Sequence, residues 1–424
     1  MVAITVSLTQ SLFKDFTTFW MGSNYTDAND TLENFLRNRC KNFHGRTAML
    51  DHSKPWRMGH KVLFYDQEPL LDSLTPRYID MFMWPYNLSF EEFRKQAKHY
   101  GMEYPGMKWN TLKEDPKSYL GDSNTIVVSE ISQKLKAYCA MYKLTPLYYF
   151  AHGFIALDWY RYHHAQNVFR KWEKPSKDFI SMNRIVINDR SYRLYWISLL
   201  KQLKLCKHGY VSFNTDSENV DWKQELSNRH TQLTDGMINH IRRNVKVNRI
   251  SLDKGLVPGY MSAFISDETT KAMHDSTWHI VSETVFWHDK LHLTEKIFKP
   301  IVFKQPFMLL GAPGNLKYLK QYGFKTFDGI IDESYDQIAD PELRMQAVAQ
   351  QLSWYCGLSQ VKKNKIQQAC QPIVEHNFKW FYGMFKHHII NELFDNTKSV
   401  MKQIKFDQDR VDWHTVKESL LKLC

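Results

Sequence analysis

The sequence predicts an α/β fold, because short apolar runs that suit buried strands alternate with stretches of helical spacing. Strand-and-helix pairs recur in two successive parts of the chain, and a charged, proline-containing stretch at residues 171–177 separates them. Residues 278–311 form a compact strand–loop–helix–strand unit. We therefore predict two Rossmann-like domains facing each other across a cleft, residues 1–172 and 178–360, followed by a helical segment at residues 361–424.

The composition is that of a soluble globular protein: 43% of the 424 residues are hydrophobic and 24% are charged. No apolar run approaches the roughly 20 residues that span a bilayer, so no membrane partner is expected. The amino terminus lacks the basic region of a signal peptide and is interpreted as a first strand. The six cysteines are scattered without a CxxC pair, which predicts reduced thiols in a cytoplasm and argues against a structural zinc site.

The charge balance favours a polyanionic partner. The formal net charge is +11 and the sequence pI is about 9.1, which suits nucleic acid or an acidic glycan. A nucleotide-using enzyme would also need positive potential, so the charge alone leaves both classes open.

In the first predicted domain, polar side chains follow two of the strands. Strands are predicted at residues 2–7, 61–66, 124–129 and 147–151, and helices at residues 30–40, 89–100 and 130–142. Glu68 lies just after the strand KVLFYD and before Pro69, at the strand end where open α/β sheets place their chemistry. The alternative is that Glu68 only caps a loop. His152, Asp158 and Trp159 follow the strand LYYFA and are candidate acceptor contacts, although His152 also suits a structural role.

Arginines cluster where the first strand of the second domain meets its first helix. The strand DFISM is followed by Asn183 and Arg184, and Arg190 and Arg193 stand at the start of the helix. Guanidinium groups bind diphosphate oxygens bidentately, so the three arginines are candidate diphosphate ligands. Arg184 could equally be a solvated charge.

The unit at residues 278–311 contains a candidate phosphate site. Its strands are predicted at residues 278–281 and 307–310, Ser282 and Glu283 follow the first of them, and Thr294 is the predicted N-cap of its helix. Free backbone N–H groups and the charge of Lys296 at the start of the helix suit a phosphate or diphosphate. The alternative reading of these residues is an ordinary capped surface helix.

The segments VSET at residues 281–284 and HLTEKIF at residues 292–298 are similar to the donor-site motif of the α-1,3-fucosyltransferase family. Together with QPFMLLG and GFKTFDGIIDESYD, residues 278–344 also resemble glycosyltransferase-like proteins of tailed phages. The resemblance implies the arrangement called GT-B, with a nucleotide sugar bound to the second domain and the acceptor to the first. It departs from the fucosyltransferases at His292, where those enzymes usually have tyrosine.

In the second domain the resemblance implies contacts to the nucleotide-sugar donor. Glu295 and Lys296 match the glutamate and lysine that bind the nucleotide and the phosphate in the family. Ser282, Glu283 and Thr294 belong to the same pair of loops and are expected to contribute.

The resemblance implies further roles on either side of the cleft. Asn183, followed by Arg190 or Arg193, is similar to a strand end and an arginine that contacts the donor phosphates, and the sequence does not choose between the two arginines. Glu68 is similar to a general base that deprotonates the acceptor hydroxyl, which implies inversion at the anomeric carbon.

No divalent metal and no other cofactor is expected, because no Asp-x-Asp triplet follows an apolar strand. The acidic residues Asp332, Glu333 and Asp336 are predicted to be solvated at the end of a loop.

The predicted acceptor is hydroxymethylated cytosine in phage DNA, within the cytoplasm of an infected bacterial host. The alternatives are transfer to a glycan or a protein, and a non-catalytic nucleic-acid-binding protein with this fold. Glu68, Glu295 and Lys296 together argue against the last alternative, because binding alone would not need all three.

Overall fold

The computed structural model describes residues 61–64, 125–129, 145–148, 175–187, 190–213, 222–228, 231–246, 267–287 and 291–403, with isolated positions between 140 and 160 and between 414 and 421. The chain divides into two compact units, Met1–Asp158 with His387–Cys424, and Trp159–Lys386. The α/β class is confirmed for the described residues. The domain boundaries predicted near residues 175 and 360 do not coincide with this division and stay predictions.

The first unit contains a parallel sheet of three described strands. They are β1 (Lys61–Phe64), β2 (Thr125–Ser129) and β3 (Thr145–Tyr148), in the order β1-β2-β3. His152 follows β3 and is buried. Glu68, Asp158 and Trp159 lie outside the described residues, so their predicted roles stay predictions.

The second unit is built on a parallel sheet of four described strands. They are β4 (Lys177–Ser181), β5 (Gly209–Val211), β6 (Ser276–Ser282) and β7 (Phe307–Leu310), in the order β5-β4-β6-β7. All seven residues of β6 are buried. A strand between two parallel neighbours and covered on both faces is expected to be buried along its whole length.

Helices alternate with these strands and follow them along the chain, and the last of the helices lies almost entirely in the first unit. They are α1 (Tyr192–Gln202), α2 (Trp222–Glu225), α3 (Asp235–Asn244), α4 (Asp267–His274), α5 (Glu295–Val302), α6 (Asn315–Gln321), α7 (Pro341–Cys356), α8 (Gln360–Tyr382) and α9 (Phe385–Gln403). Capping residues explain several starts: Asp340 accepts a hydrogen bond from Leu343 N, and Pro341 occupies the first turn of α7. Among the helices described, none is both long and apolar enough to cross a bilayer.

The strand order creates a switch point between β4 and β6. From β4 the chain passes through α1 to β5 on one side, and it later returns to the other side of β4 to form β6. In open α/β sheets the crevice outside the carboxyl ends of the two strands at such a reversal is the usual place for a ligand. The residues that follow β4 and β6 therefore define the candidate site.

Candidate functional site

Asn183 joins the carboxyl ends of three neighbouring strands. Its buried side-chain amide donates to Ser181 Oγ (3.1 Å) at the end of β4 and to the Ser212 carbonyl (3.2 Å) just after β5. Its Oδ1 accepts a hydrogen bond from Ser282 Oγ at the end of β6 (3.2 Å). The predicted donor ligands Asn183 and Ser282 are thus brought together, and here their side chains hold the floor of the crevice in place.

Glu283, the residue after β6, connects the starts of two helices. Its carboxylate accepts hydrogen bonds from both the backbone N–H (3.2 Å) and the hydroxyl of Thr294, at the start of α5. Its backbone carbonyl accepts hydrogen bonds from the hydroxyl of Tyr192 and from Arg193 Nη2 (3.2 Å), in the first turn of α1. The amino terminus of α5 therefore lies at Glu283, whereas α1 reaches this residue through two side chains, and the partial positive charge of the α5 terminus lies beside the switch point.

Burial controls the ionisation of Glu283. The side chain is fully buried, and burial raises the pKa of its carboxyl group above the ordinary value, while Lys296 and the Thr294 hydrogen bond oppose that rise. Glu283 faces Thr294 rather than open space, so its part in any ligand site is to position the helix start.

Lys296 supplies a cation at the same place. Its Nζ lies 3.0 Å from each of three oxygens: Thr284 Oγ1, Thr294 Oγ1 and Glu295 Oε1. The lysine side chain is 25% exposed and the Glu295 side chain 7%. The sequence predicted Thr294 as the N-cap of α5, and its Oγ1 does accept from Lys296 N (3.3 Å). That backbone N–H therefore already has a partner.

Two tyrosines support the first residue of α5. The hydroxyl of Tyr160 donates to the Glu295 carbonyl (3.1 Å), and the hydroxyl of Tyr382, at the end of α8, donates to the Tyr160 carbonyl (2.8 Å). Burial and the nearby Glu295 both raise the pKa of Tyr160, so the phenol stays protonated and acts as a donor.

The three predicted arginines occupy different environments. Arg193 is buried, and its guanidinium donates to the carbonyls of Ile185 (3.0 Å) and Ser282 (2.7 Å) as well as to that of Glu283. It therefore binds the main chain around the strand ends in this conformation. Arg184 and Arg190 are partly exposed, which leaves them better placed to meet a soluble anion.

Ser191 marks the start of α1. Its side chain is fully buried, and its hydroxyl makes no hydrogen bond within the described chain, although it stands at the N-cap position of an 11-residue helix. Buried polar groups normally have a hydrogen-bond partner, so the Ser191 hydroxyl is an exception at the start of α1.

The sequence did not predict the role of Arg344, which links three main-chain segments near the strand ends. This buried residue of α7 donates to the carbonyls of Gly311 (3.0 Å), Ile338 (2.7 Å) and Phe286 (2.5 Å). Burial lowers the pKa of Arg344 to about 10. No local motif signals this role, because the acceptors are main-chain carbonyls whose positions depend on the tertiary fold.

The prediction of a solvated acidic cluster is wrong for two of its three residues. Asp332 is exposed, whereas Glu333 and Asp336 are buried. Glu333 accepts hydrogen bonds from Thr326 Oγ1 (2.6 Å) and Phe327 N (2.7 Å), and Asp336 accepts from two backbone N–H groups at the start of α6. These backbone donors compensate for lost solvation, and the pattern of acids in the sequence does not reveal them.

Comparison of the chain with protein-family models, curated proteins and solved structures finds no match. The geometry of the site combines a topological switch point, the start of α5 hydrogen-bonded to Glu283, and the charged groups of Lys296 and Arg193. Such an arrangement can bind an anionic ligand and stabilise negative charge that develops on it.

Proposed function

We propose that the protein is a metal-independent, inverting glycosyltransferase that moves a sugar from a nucleotide-sugar donor to a hydroxyl acceptor. The observation that carries the proposal is the arrangement at Glu283, beside the β4–β6 switch point, where the amino terminus of α5, the Lys296 charge and the Arg193 guanidinium come together. The likeness of VSET and HLTEKIF to a fucosyltransferase donor motif supports the same reading.

The proposed donor site uses charge rather than a metal ion to stabilise the leaving diphosphate. Lys296 would exchange contacts with Thr284, Thr294 or Glu295 for phosphate oxygens. Arg184 or Arg190 would add a second cation. Fixed donors aimed at developing charge are a major source of rate acceleration in enzymes.

The proposed acceptor site belongs to a first Rossmann-like domain, in a GT-B arrangement. Glu68 follows β1, and parallel strands place chemistry at their carboxyl ends. In this proposal Glu68 removes the proton of the acceptor hydroxyl as that oxygen attacks the anomeric carbon. His152, Asp158 and Trp159 would contact the acceptor.

DNA carrying hydroxymethylated cytosine is the proposed acceptor. Support comes from the net charge of +11 and from the resemblance to proteins of tailed phages, which would place the enzyme in the infected host cell. A glycan or protein acceptor is the competing assignment.

The test is to incubate the full chain and a mixture of nucleotide sugars with hydroxymethylcytosine-containing DNA, then analyse the nucleosides by mass spectrometry. The proposal predicts a sugar adduct on the modified base that forms equally well in EDTA. Transfer to a glycan or protein alone would refute the DNA assignment. No transfer to any acceptor would refute the enzymatic one.

Replacing Glu68 by Gln provides the mechanistic control. Loss of the general base should lower the transfer rate on the order of 10² to 10⁴-fold while donor affinity stays near that of the wild type. An unchanged rate would remove Glu68 from the mechanism.

A further inference from the structure

Three side chains of different chemistry converge at the amino-terminal edge of the four-stranded sheet, at the opposite ends of the strands from the candidate site. Asp178 lies in β4, His208 ends the 3-10 helix Leu205–His208, and Cys356 is the last residue of α7. One donor atom from each lies within 4.8 Å of the other two, and His208 Nδ1 is 3.2 Å from Asp178 Oδ2. The imidazole is 34% exposed, so solvent reaches the cluster.

We propose that Asp178, His208 and Cys356 bind a divalent transition-metal ion, with Zn²⁺ the best match to this set of ligands. Carboxylate, imidazole and thiolate are the ligand types that zinc takes in tetrahedral sites, at bond lengths of roughly 2.0 to 2.3 Å. The three donor atoms lie within 4.8 Å of one another, so they would have to move closer together to reach these bond lengths. A fourth ligand would be water from the exposed side.

The proposed ligands come from three separate elements, so the ion would join β4, the 3-10 helix and the end of α7. The wide separation of these ligands along the chain is the reason that the sequence pattern did not indicate a zinc site. The expectation of no structural zinc depended on closely spaced cysteine pairs, whereas these three ligands are distant in the chain.

Lys363 currently supplies the positive charge at this point. Its Nζ lies 2.7 Å from Asp178 Oδ1, and its side chain extends from α8. On zinc binding the ammonium group would leave the carboxylate and turn to solvent, and the Cys356 thiol would release its proton to solvent. Lys363 is therefore a competitor of the metal. A cluster that serves only as an ion pair predicts no such competition.

The experiment measures Zn²⁺ affinity of the full-length chain against a chromogenic chelator and uses Co²⁺ as a spectroscopic probe. The wild type should show a thiolate-to-cobalt charge-transfer band, which Cys356→Ser should abolish. His208→Asn should weaken zinc binding by about 100-fold, since even residues behind metal ligands cost 10- to 100-fold. Lys363→Met should strengthen it by about fivefold, the equivalent of one ion pair at a partly exposed site.

Cys206→Ser is the matched control, because Cys206 lies in the same 3-10 helix as His208 and is not one of the proposed ligands. It should leave both the cobalt band and the zinc affinity unchanged. A band that survives in Cys356→Ser would overturn the proposal, as would the absence of metal binding in both the wild type and Lys363→Met. If Cys356→Ser does not fold, as judged by circular dichroism, unchanged zinc affinity in His208→Asn would overturn it equally.

Discussion

At the scale of single residues, Lys296 makes three polar contacts within its own segment. Its ammonium group lies against two threonine hydroxyls and the Glu295 carboxylate, all at 3.0 Å. A phosphate that binds at the proposed donor site would have to replace some of these contacts. Breaking the existing contacts of Lys296 costs free energy, which offsets part of its attraction to a phosphate. The net contribution of Lys296 to the proposed binding is therefore moderate.

Lys296→Met should weaken the binding of a nucleoside diphosphate by roughly 10- to 100-fold, as expected for the loss of a charged hydrogen bond. Isothermal titration calorimetry measures this directly. Lys317→Met, which removes an exposed charge from α6, is the control and should bind like the wild type. Equal affinities in all three proteins would mean that the start of α5 does not face the donor.

His279 makes stability depend on pH. It is buried in β6 beside Gln305 Oε1 (3.3 Å), and burial lowers the pKa of His279 to about 3. The unfolded chain binds a proton near pH 6.5 and the folded chain does not, so this contribution to stability is complete above pH 6.5. It is lost as the pH falls toward 3, by on the order of 4 kcal/mol.

His279→Gln should therefore flatten the loss of stability in acid. Gln keeps a donor for Gln305 but does not titrate. Urea unfolding at pH 7.5 and at pH 4.5 should give a smaller difference for the variant than for the wild type, with the pH 7.5 values isolating any packing cost. If both proteins lost the same unfolding free energy between pH 7.5 and pH 4.5, His279 would not be the group responsible.

At the scale of elements, α8 is attached to the turn after α6. His376 Nε2 lies 2.9 Å from the Gly323 carbonyl, Trp380 Nε1 donates to the Tyr322 carbonyl (2.7 Å), and Asn377 bonds both backbone groups of Lys325. Gly323 has a positive φ of 85°, and a methyl group there would lie 2.5 Å from Trp380 ring carbons. The close packing of α8 thus depends on the missing side chain.

Gly323→Ala should cost more stability than Gly329→Ala, and the pair separates two effects. Gly329 also has a positive φ, 83°, but a methyl group there would contact nothing within 4 Å. Backbone strain alone should cost about 1 to 2 kcal/mol at either position. Overpacking against Trp380 should add roughly 1 to 3 kcal/mol at Gly323, and denaturant unfolding measures the difference. Equal losses of stability in the two variants would show that α8 moves away from the new methyl group at no cost in free energy.

Much of the element pattern in the second unit could be predicted from the sequence. The strands expected at residues 178–182, 278–281 and 307–310 occur within one or two residues of their predicted ends, and Thr294 caps α5. Apolar runs and capping residues are local signals, which explains this success. The roles of Arg193 and Arg344 could not be predicted, because both bind carbonyls that only the tertiary fold brings within reach.

At the scale of the whole molecule, the excess of basic residues predicts how the affinity for DNA depends on salt concentration. If DNA is the acceptor, the affinity for duplex DNA should fall steeply with salt, with a log–log slope of about −0.9 per phosphate neutralised. Fluorescence anisotropy over a series of salt concentrations gives the slope. Duplexes with ordinary cytosine should give the same slope, because phosphate contacts do not read the base.

Absence of binding to duplex DNA at low salt would contradict this prediction and favour a glycan or protein acceptor. A steep slope without any sugar transfer would instead favour the non-catalytic nucleic-acid-binding alternative.

The hydrogen bonds of Tyr160 and Tyr382 also have a consequence for biosynthesis. Tyr160 leaves the ribosome long before Glu295, which its hydroxyl contacts, and Tyr382 follows later still. Likewise β4 emerges well before its neighbour β6. Until β6 has been synthesised, the edge of β4 that pairs with it stays uncovered. Partly folded chains with such exposed strand edges aggregate or bind chaperones. Translation speed over the intervening codons, and not only the finished sequence, should then influence the yield of folded protein.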